Sequence, residues 1–226
     1  MTNDLVKEKY KICYLCGRKL FNKKSYTKDH IPPKSLYNKN PNGNLITVPC
    51  CNNCNNAFSK DDEAFVSALV VSSEGFSVEA TKRWKEKGLR TIEKNNRLRK
   101  FHQDHLSVVN LYTEGGLYLG KHPAYQPNFE LYNKSITKIV RGLFYYHTNG
   151  KRLINDPEIR YPQNDFDGDW FKEFVNTLHK ITIVDGIFRY GFLQNSDNDI
   201  IQGLLLLVFF DRFFCFASFE QDVSVQ

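Results

Sequence analysis

The chain carries no Gly-rich phosphate loop of the Walker type, so ATP hydrolysis by that route is excluded. It has no internal repeat and no low-complexity segment, which sets aside solenoids and disordered tails. Residues 1–10 lack a basic start followed by an apolar run, so export is not signalled and a cytoplasmic location is expected. The apolar run 203–210 is too short to cross a bilayer and is followed at once by Asp211 and Arg212. A buried strand is therefore expected there, and no membrane contact. Cysteine is sparse, six in 226 residues, and in a reducing compartment these thiols favour metal ligation over disulfides.

What is present describes a globular chain, 41% hydrophobic and 14% aromatic, long enough for one large or two small domains. Its net charge of +6 is unevenly spread. Residues 1–100 carry 20 Lys and Arg against 10 Asp and Glu, whereas residues 101–226 carry 11 against 15. A polyanion is drawn to the first half, whose field raises encounter rates at low salt.

Two Cys-x-x-Cys pairs, Cys13/Cys16 and Cys51/Cys54, lie in that basic half with 34 residues between them. Four thiolates in two such pairs suit one tetrahedral zinc ion, whose binding closes the intervening segment into a loop. Cys50 competes with Cys51 for the ligand role, and the repeated spacing favours Cys51. Cys215, among phenylalanines, reads as a buried small hydrophobe.

Inside the loop, residues 25–30 alternate like a strand ending on Asp29 and His30, whose side chains then point to opposite faces. Pro32 and Pro33 stop that strand, and residues 34–44 are turn-rich. The β-branched run 45–48 should return antiparallel and bring Asn44 near His30. A helix then opens at the second cysteine pair, with Asn55 and Asn56 in its first turn. Ala57, Phe58, Phe65, Ala68 and Leu69 share one face of it, and residues 59–63 keep the other face in water. A zinc knuckle alone needs neither an Asp-His dyad nor these asparagines.

The order Cys-x-x-Cys, Asp-His, Asn-Leu, Cys-x-x-Cys-Asn resembles the HNH endonucleases of the four-cysteine, zinc-containing type, over about residues 11–66. The resemblance implies a ββα-metal fold with a structural zinc on Cys13, Cys16, Cys51 and Cys54. It also implies a catalytic divalent ion, Mg²⁺ or Mn²⁺, held by Asp29 and Asn55. His30 becomes the general base, a role suited to an imidazole whose ordinary pKa of about 6.5 leaves it mostly neutral. Asn44 falls at the position that orients this histidine. The last family position is commonly His and is Asn55 here, an amide whose oxygen can also ligate; Asn56 lies one step away. The implied activity is metal-dependent hydrolysis of phosphodiester bonds in nucleic acid, DNA in the first place. Restriction or phage defence is the implied setting, with an ATPase or other defence-system subunit as partner. The competing class is a non-catalytic zinc module that binds nucleic acid, or a subunit active only with a partner protein.

Residues 78–106 read as a long polar helix, with Gly88 as its one point of interruption. Between Lys82 and Lys100 nine basic residues are opposed only by Glu86 and Glu93. Lys82, Arg83, Lys85, Lys87, Arg90, Lys94 and Arg97 are the candidate phosphate contacts. His102 and His105 flank Asp104 and form a weak metal candidate, while Asp165, Asp167 and Asp169 read as a solvated turn. Farther on, Ile136, Ile139, Val140, Leu143, Phe144 and His147 mark a core-facing helix stopped at Asn149 and Gly150. A second helix is expected over 169–180 and strands over 187–193 and 203–219. The expected fold is α+β: a zinc-stabilised ββα-metal (treble-clef-like) module at 1–77, a basic connecting helix at 78–106, and a C-terminal α+β accessory domain with an antiparallel sheet at 107–226.

Overall fold

Helix α5, Phe129–His147, is packed on from two sides, and its sequence shows why. Asn128 caps it by accepting the Leu131 N–H at 2.9 Å, and Asn149 and Gly150 end it in the left-handed region at φ 53° and 106°. The expected stripe from Ile136 to Phe144 is buried, and so are Tyr132, Ser135, Lys138 and Gly142. A helix covered over so much of its circumference lies between two layers. The computed structural model describes residues 10–21, 24, 26–37, 44–162, 173 and 175–224.

One layer is a five-stranded antiparallel sheet in the order β7, β11, β10, β9, β8. Its strands are β7 (Glu158–Arg160), β8 (His179–Val184), β9 (Phe188–Asp197), β10 (Ile200–Phe209) and β11 (Phe213–Asp222). The apolar run of the sequence becomes the β10–β11 hairpin, with Phe209 opposite Phe213 and Asp211 and Arg212 in the turn. Edge-on ring pairs, Tyr132 with Phe213 at 5.2 Å and Phe144 with Phe219 at 5.3 Å, fasten α5 to this sheet.

The other layer is N-terminal. A short hairpin of β1 (Lys11–Ile12) and β2 (Lys19–Leu20) precedes the antiparallel pair β3 (Tyr26–Ile31) and β4 (Ile46–Cys51). Helix α1, Asn52–Ser73, follows without a break. The β3 strand meets α5 at Gly142, where a Cβ would stand 2.5 Å from two carbons of Ile31. Gly142→Ala must therefore push β3 and α5 apart, and a loss of about 1–3 kcal/mol is expected in denaturant unfolding. Unchanged stability would contradict this close approach.

Phe65 of α1 touches both Tyr132 at 5.4 Å and Phe209 at 5.7 Å. The buried residues of the N-terminal hairpin, α1, α5 and the sheet accordingly form one contiguous core. The α1 face differs in detail from the expected one: Phe65, Ala68 and Leu69 are buried, Phe58 is half-buried, and Ala57 is exposed beside the cysteine pair.

Residues 78–105 are not one uninterrupted helix. They run α2 (Val78–Arg83), a π-helical turn (Trp84–Gly88), α3 (Leu89–Lys94) and α4 (Asn96–His105). The break falls at Asn95 because its backbone is extended and its side chain caps α4, accepting the Arg97 and Leu98 N–H groups at 3.1 and 3.3 Å. Gly88 does something else: it lies against the Trp84 ring, where a Cβ would come within 2.8 Å. His102 and His105 are occupied by packing. His102 Nε2 is 2.8 Å from Ser67 Oγ and its burial holds the pKa down to about 4, while His105 Nδ1 is 2.7 Å from the Phe101 carbonyl oxygen.

An exposed hairpin, β5 (Leu106–Tyr112) with β6 (Tyr118–Tyr125), follows α4; periodicity did not announce it. Most of the helix expected at 169–180, and the acidic turn at 165–169, lie outside the described residues; residues 175–177 are helical and β8 already begins at His179. Among the described residues no helix is long and apolar enough to cross a membrane.

Candidate metal centre and adjoining hairpin

The first knuckle is a tight turn in which the Gly17 N–H donates to the Cys13 carbonyl at 2.9 Å, with Gly17 at φ 77°, where a side chain would be strained. The second is the start of α1, where Cys51 caps the helix and its sulfur accepts the Cys54 N–H at 3.4 Å. Across the gap the Cys51 N–H donates to Cys13 Sγ at 3.3 Å. The sulfurs of Cys13, Cys16, Cys51 and Cys54 all lie within 4.8 Å of one another, with Cys16 and Cys51 at 3.7 Å. Metal–sulfur bonds of about 2.3 Å in a tetrahedron put sulfurs roughly 3.8 Å apart, so the cluster fits zinc.

The thiols are electrostatically uneven. Hydrogen bonds from Cys50 and from backbone amides, working against burial, hold Cys13 down to about 3, whereas burial pushes Cys16 and Cys54 up. A bound cation displaces the protons that the latter two retain. Cys50 is outside the cluster: its hydrogen bond to Cys13, together with burial, pushes its pKa up, and it stays a thiol. Arg152, from the segment after α5, braces the first knuckle by donating to the Leu15 carbonyl at 2.9 Å.

In β3 the side chains alternate, so Asp29 and His30 part company. Asp29 is buried; its Oδ2 accepts the Tyr14 hydroxyl at 2.8 Å and lies 3.1 Å from Lys138 Nζ of α5. Lys138, with its side chain 1% exposed, also pairs with Asp62 Oδ2 of α1 at 2.5 Å and sits 5.5 Å from the Phe58 ring centroid. Burial works against this ammonium, but Asp29 and Asp62 outweigh it and hold its pKa above the ordinary lysine value. Burial and then Asp29 hold the Tyr14 hydroxyl well up, so it remains a donor. A parallel pair, Lys134 with Asp61 at 2.5 Å, lies nearer the surface. The 59–63 face of α1 is thus not simply hydrated, because α5 grips its two aspartates. Asp29 Oδ1 takes no hydrogen bond among the described residues and is not sealed off.

His30 is half-buried, and its pKa is lowered by burial and then by Lys34, with Asp29 opposing. It is therefore neutral at pH 7. The register sets Thr47 opposite His30, whereas Asn44 is exposed and lies beyond the last paired residue, Ile46. Asn55 is half-buried in the first turn of α1, and Asn56 is exposed. Asp29 Oδ1 and an Asn55 amide oxygen are hard donors of the kind that Mg²⁺ and Mn²⁺ take.

Residues 13–69 match a family model described as HNH endonuclease. Over these residues the N-terminal module is similar to HNH endonucleases, and its four clustered cysteines are placed to hold a metal ion. No curated protein and no solved structure matches the chain.

The HNH match ends at Leu69, so the basic helices lie outside it. Lys82, Lys87, Arg90 and Lys94 line one groove together with Lys34, which stands in the loop just after His30. Glu63 and Glu86 also border it. Arg83 departs from the expected surface role: it is buried, and its guanidinium donates to the carbonyls of Ser35 and Tyr37. It is a strut between α2 and the loop after β3, and it also borders the groove. Lys85 is exposed on a separate depression beside Phe76, and Arg97 pairs with Glu63 at 2.6 Å on the surface.

Sequence reasoning passed over Tyr14, Asp62, Lys138 and Lys34. For Lys138 the signal was present: it shares a helical face with Ser135 and Gly142, next to the apolar stripe of Ile136, Ile139, Val140 and Leu143. Lys34 could have been read from its place directly after Asp-His-Ile-Pro-Pro.

Proposed function

We propose that the chain is a metal-dependent endonuclease that hydrolyses phosphodiester bonds in nucleic acid, DNA in the first place. The observation that carries this reading is the continuity of the basic groove with the HNH hairpin, through Lys34. A phosphate backbone lying in the groove is led to His30.

His30, kept neutral by its half-buried place, takes the proton of the attacking water. Asp29 Oδ1 and Asn55 would hold a hard divalent cation; when bound, it neutralises charge on the phosphoryl oxygens and on the departing 3′ oxygen. Asn44 serves as the residue that orients His30 as a nucleic-acid strand enters. The thiolates stay out of the chemistry and tie the first knuckle to the junction of β4 and α1. Lys82, Lys87, Arg90 and Lys94 contact phosphates without reading sequence. A setting in restriction or phage defence, with an ATPase or other defence-system subunit as partner, belongs to the same reading and rests on the resemblance alone.

The groove is tested by Lys82→Ala/Arg90→Ala/Lys94→Ala. Each lost phosphate contact should flatten the dependence of log binding constant on log salt by about 0.9 for duplex DNA, so the triple variant should lose about 2–3 of slope. An unchanged slope would remove the groove from the substrate path. One observation favours a second reading, a zinc module that binds nucleic acid without cutting: Asp29 already has an ammonium partner in Lys138. Under that reading the zinc-loaded protein binds DNA but takes up no further divalent ion.

A further inference from the structure

The buried charge cluster between the HNH module and α5 has a composition that packing alone does not require. One ammonium, Lys138, serves two carboxylates, Asp29 and Asp62, and both use a single oxygen for it. The contact is built by register: Gly142 and Lys138, one turn apart on α5, meet Ile31 and Asp29, two residues apart on the same face of β3. The close approach at Gly142 is what lets the ammonium reach Asp29. Tyr14 holds the same oxygen, Oδ2, from the side of the first knuckle. With Oδ2 fixed from two directions the carboxylate cannot rotate, and Oδ1 keeps one orientation.

We propose that Lys138 is a positioning residue of the nuclease site, supplied by a helix outside the HNH-matched segment, which locks Asp29 so that Oδ1 is presented to a divalent cation. The proposal rests on the nuclease reading of Asp29 and adds that the HNH module is incomplete without α5. Its electrostatic side is restraint. The ammonium cancels one of two neighbouring negative charges, so the cluster carries a single net charge and draws the cation to Oδ1 rather than into the buried space between Asp29 and Asp62.

The test is the double variant Lys138→Met/Asp62→Asn. It removes one ammonium and one carboxylate, so the net charge beside Asp29 is unchanged while the clamp is lost. Mn²⁺ binding to the zinc-loaded full chain is read by electron paramagnetic resonance, with zinc content and melting temperature measured on the same samples. The expected result is a dissociation constant for Mn²⁺ raised about tenfold, with zinc retained. Asp62→Asn alone, which leaves Lys138 on Asp29 but takes away the cluster's net charge, should weaken Mn²⁺ binding clearly less than the double variant does. Equal Mn²⁺ affinity in the double variant and the wild type would overturn the proposal and leave the nuclease reading standing. Equal weakening in Asp62→Asn would also overturn it, by assigning the effect to the acid. A wild-type chain that binds no Mn²⁺ at all overturns both.

Should the double variant fail to fold, the wild type decides. Lys138 is the only lysine buried among the described residues, so its ammonium protons exchange slowly and give a protected resonance. That resonance should move as Mg²⁺ is added, and a resonance indifferent to saturating Mg²⁺ overturns the proposal.

Discussion

Cys51→Ser should lose the bound zinc and with it the order of the N-terminal module, whereas Cys50→Ser should keep both. The two residues are neighbours in β4, yet only the sulfur of Cys51 joins those of Cys13, Cys16 and Cys54 within 4.8 Å. Structural zinc on such a site contributes on the order of 10 kcal/mol to folding in small modules, comparable with the whole stability of a domain. The hairpin and α1 have a second source of support in α5 and the sheet, through Ile31, Phe65 and the shared core. The variant therefore need not unfold throughout, and an intermediate loss of about 5 kcal/mol is expected. Zinc content, about one per chain in the wild type, and near-ultraviolet circular dichroism of the buried tyrosines would report it. Zinc retained by Cys51→Ser, or lost from Cys50→Ser, would show that the ligand set is wrong.

His30→Ala should lower the rate of phosphodiester cleavage by about 10²- to 10⁴-fold, the range that a positioned general base supplies. The fold should survive, because His30 is only half-buried and its ring makes no hydrogen bond among the described residues. Zinc content should not change, since the cysteines lie at the other end of the hairpin: Tyr26, not His30, is paired with Cys51. Exogenous imidazole should restore part of the rate, because the missing group is a proton acceptor and not a structural contact. A variant that cuts at the wild-type rate would remove His30 from the chemistry.

The four-cysteine cluster and the elements around it could be read before the fold was seen, and the reason is local spacing. Cys-x-x-Cys pairs, an Asp-His dyad before Pro32 and Pro33, and a helix opening at the second pair are all short-range patterns, and each lies where expected. The C-terminal sheet was legible for a similar reason, since an apolar run too short for a membrane and cut by Asp211 and Arg212 has few alternatives to a hairpin. What escaped depends on contacts between distant residues. Lys138 reads as a tolerated polar residue until Gly142 brings α5 against β3. Arg83 looks like its exposed neighbours in sequence, and only the carbonyls of Ser35 and Tyr37, nearly fifty residues away, turn it inward. The long basic helix was misread because Asn95 acts through its side chain as a cap, which period counting does not register.

The two families of contact also explain why the HNH segment and the rest of the chain share one core. The cysteines tie β4 and α1 to the first knuckle, and α5 supplies the apolar face and the buried ammonium that the short hairpin cannot provide for itself. Arg152 closes the arrangement from the far side by bracing the knuckle at Leu15.

The most direct measurement is the fate of supercoiled plasmid incubated with the zinc-loaded full chain, with and without added Mg²⁺ or Mn²⁺. Conversion to nicked or linear DNA only when the hard cation is present is the result expected of a site made from His30, Asp29 and Asn55. Plasmid that stays supercoiled under both ions, or that is cut equally well in their absence, would contradict it.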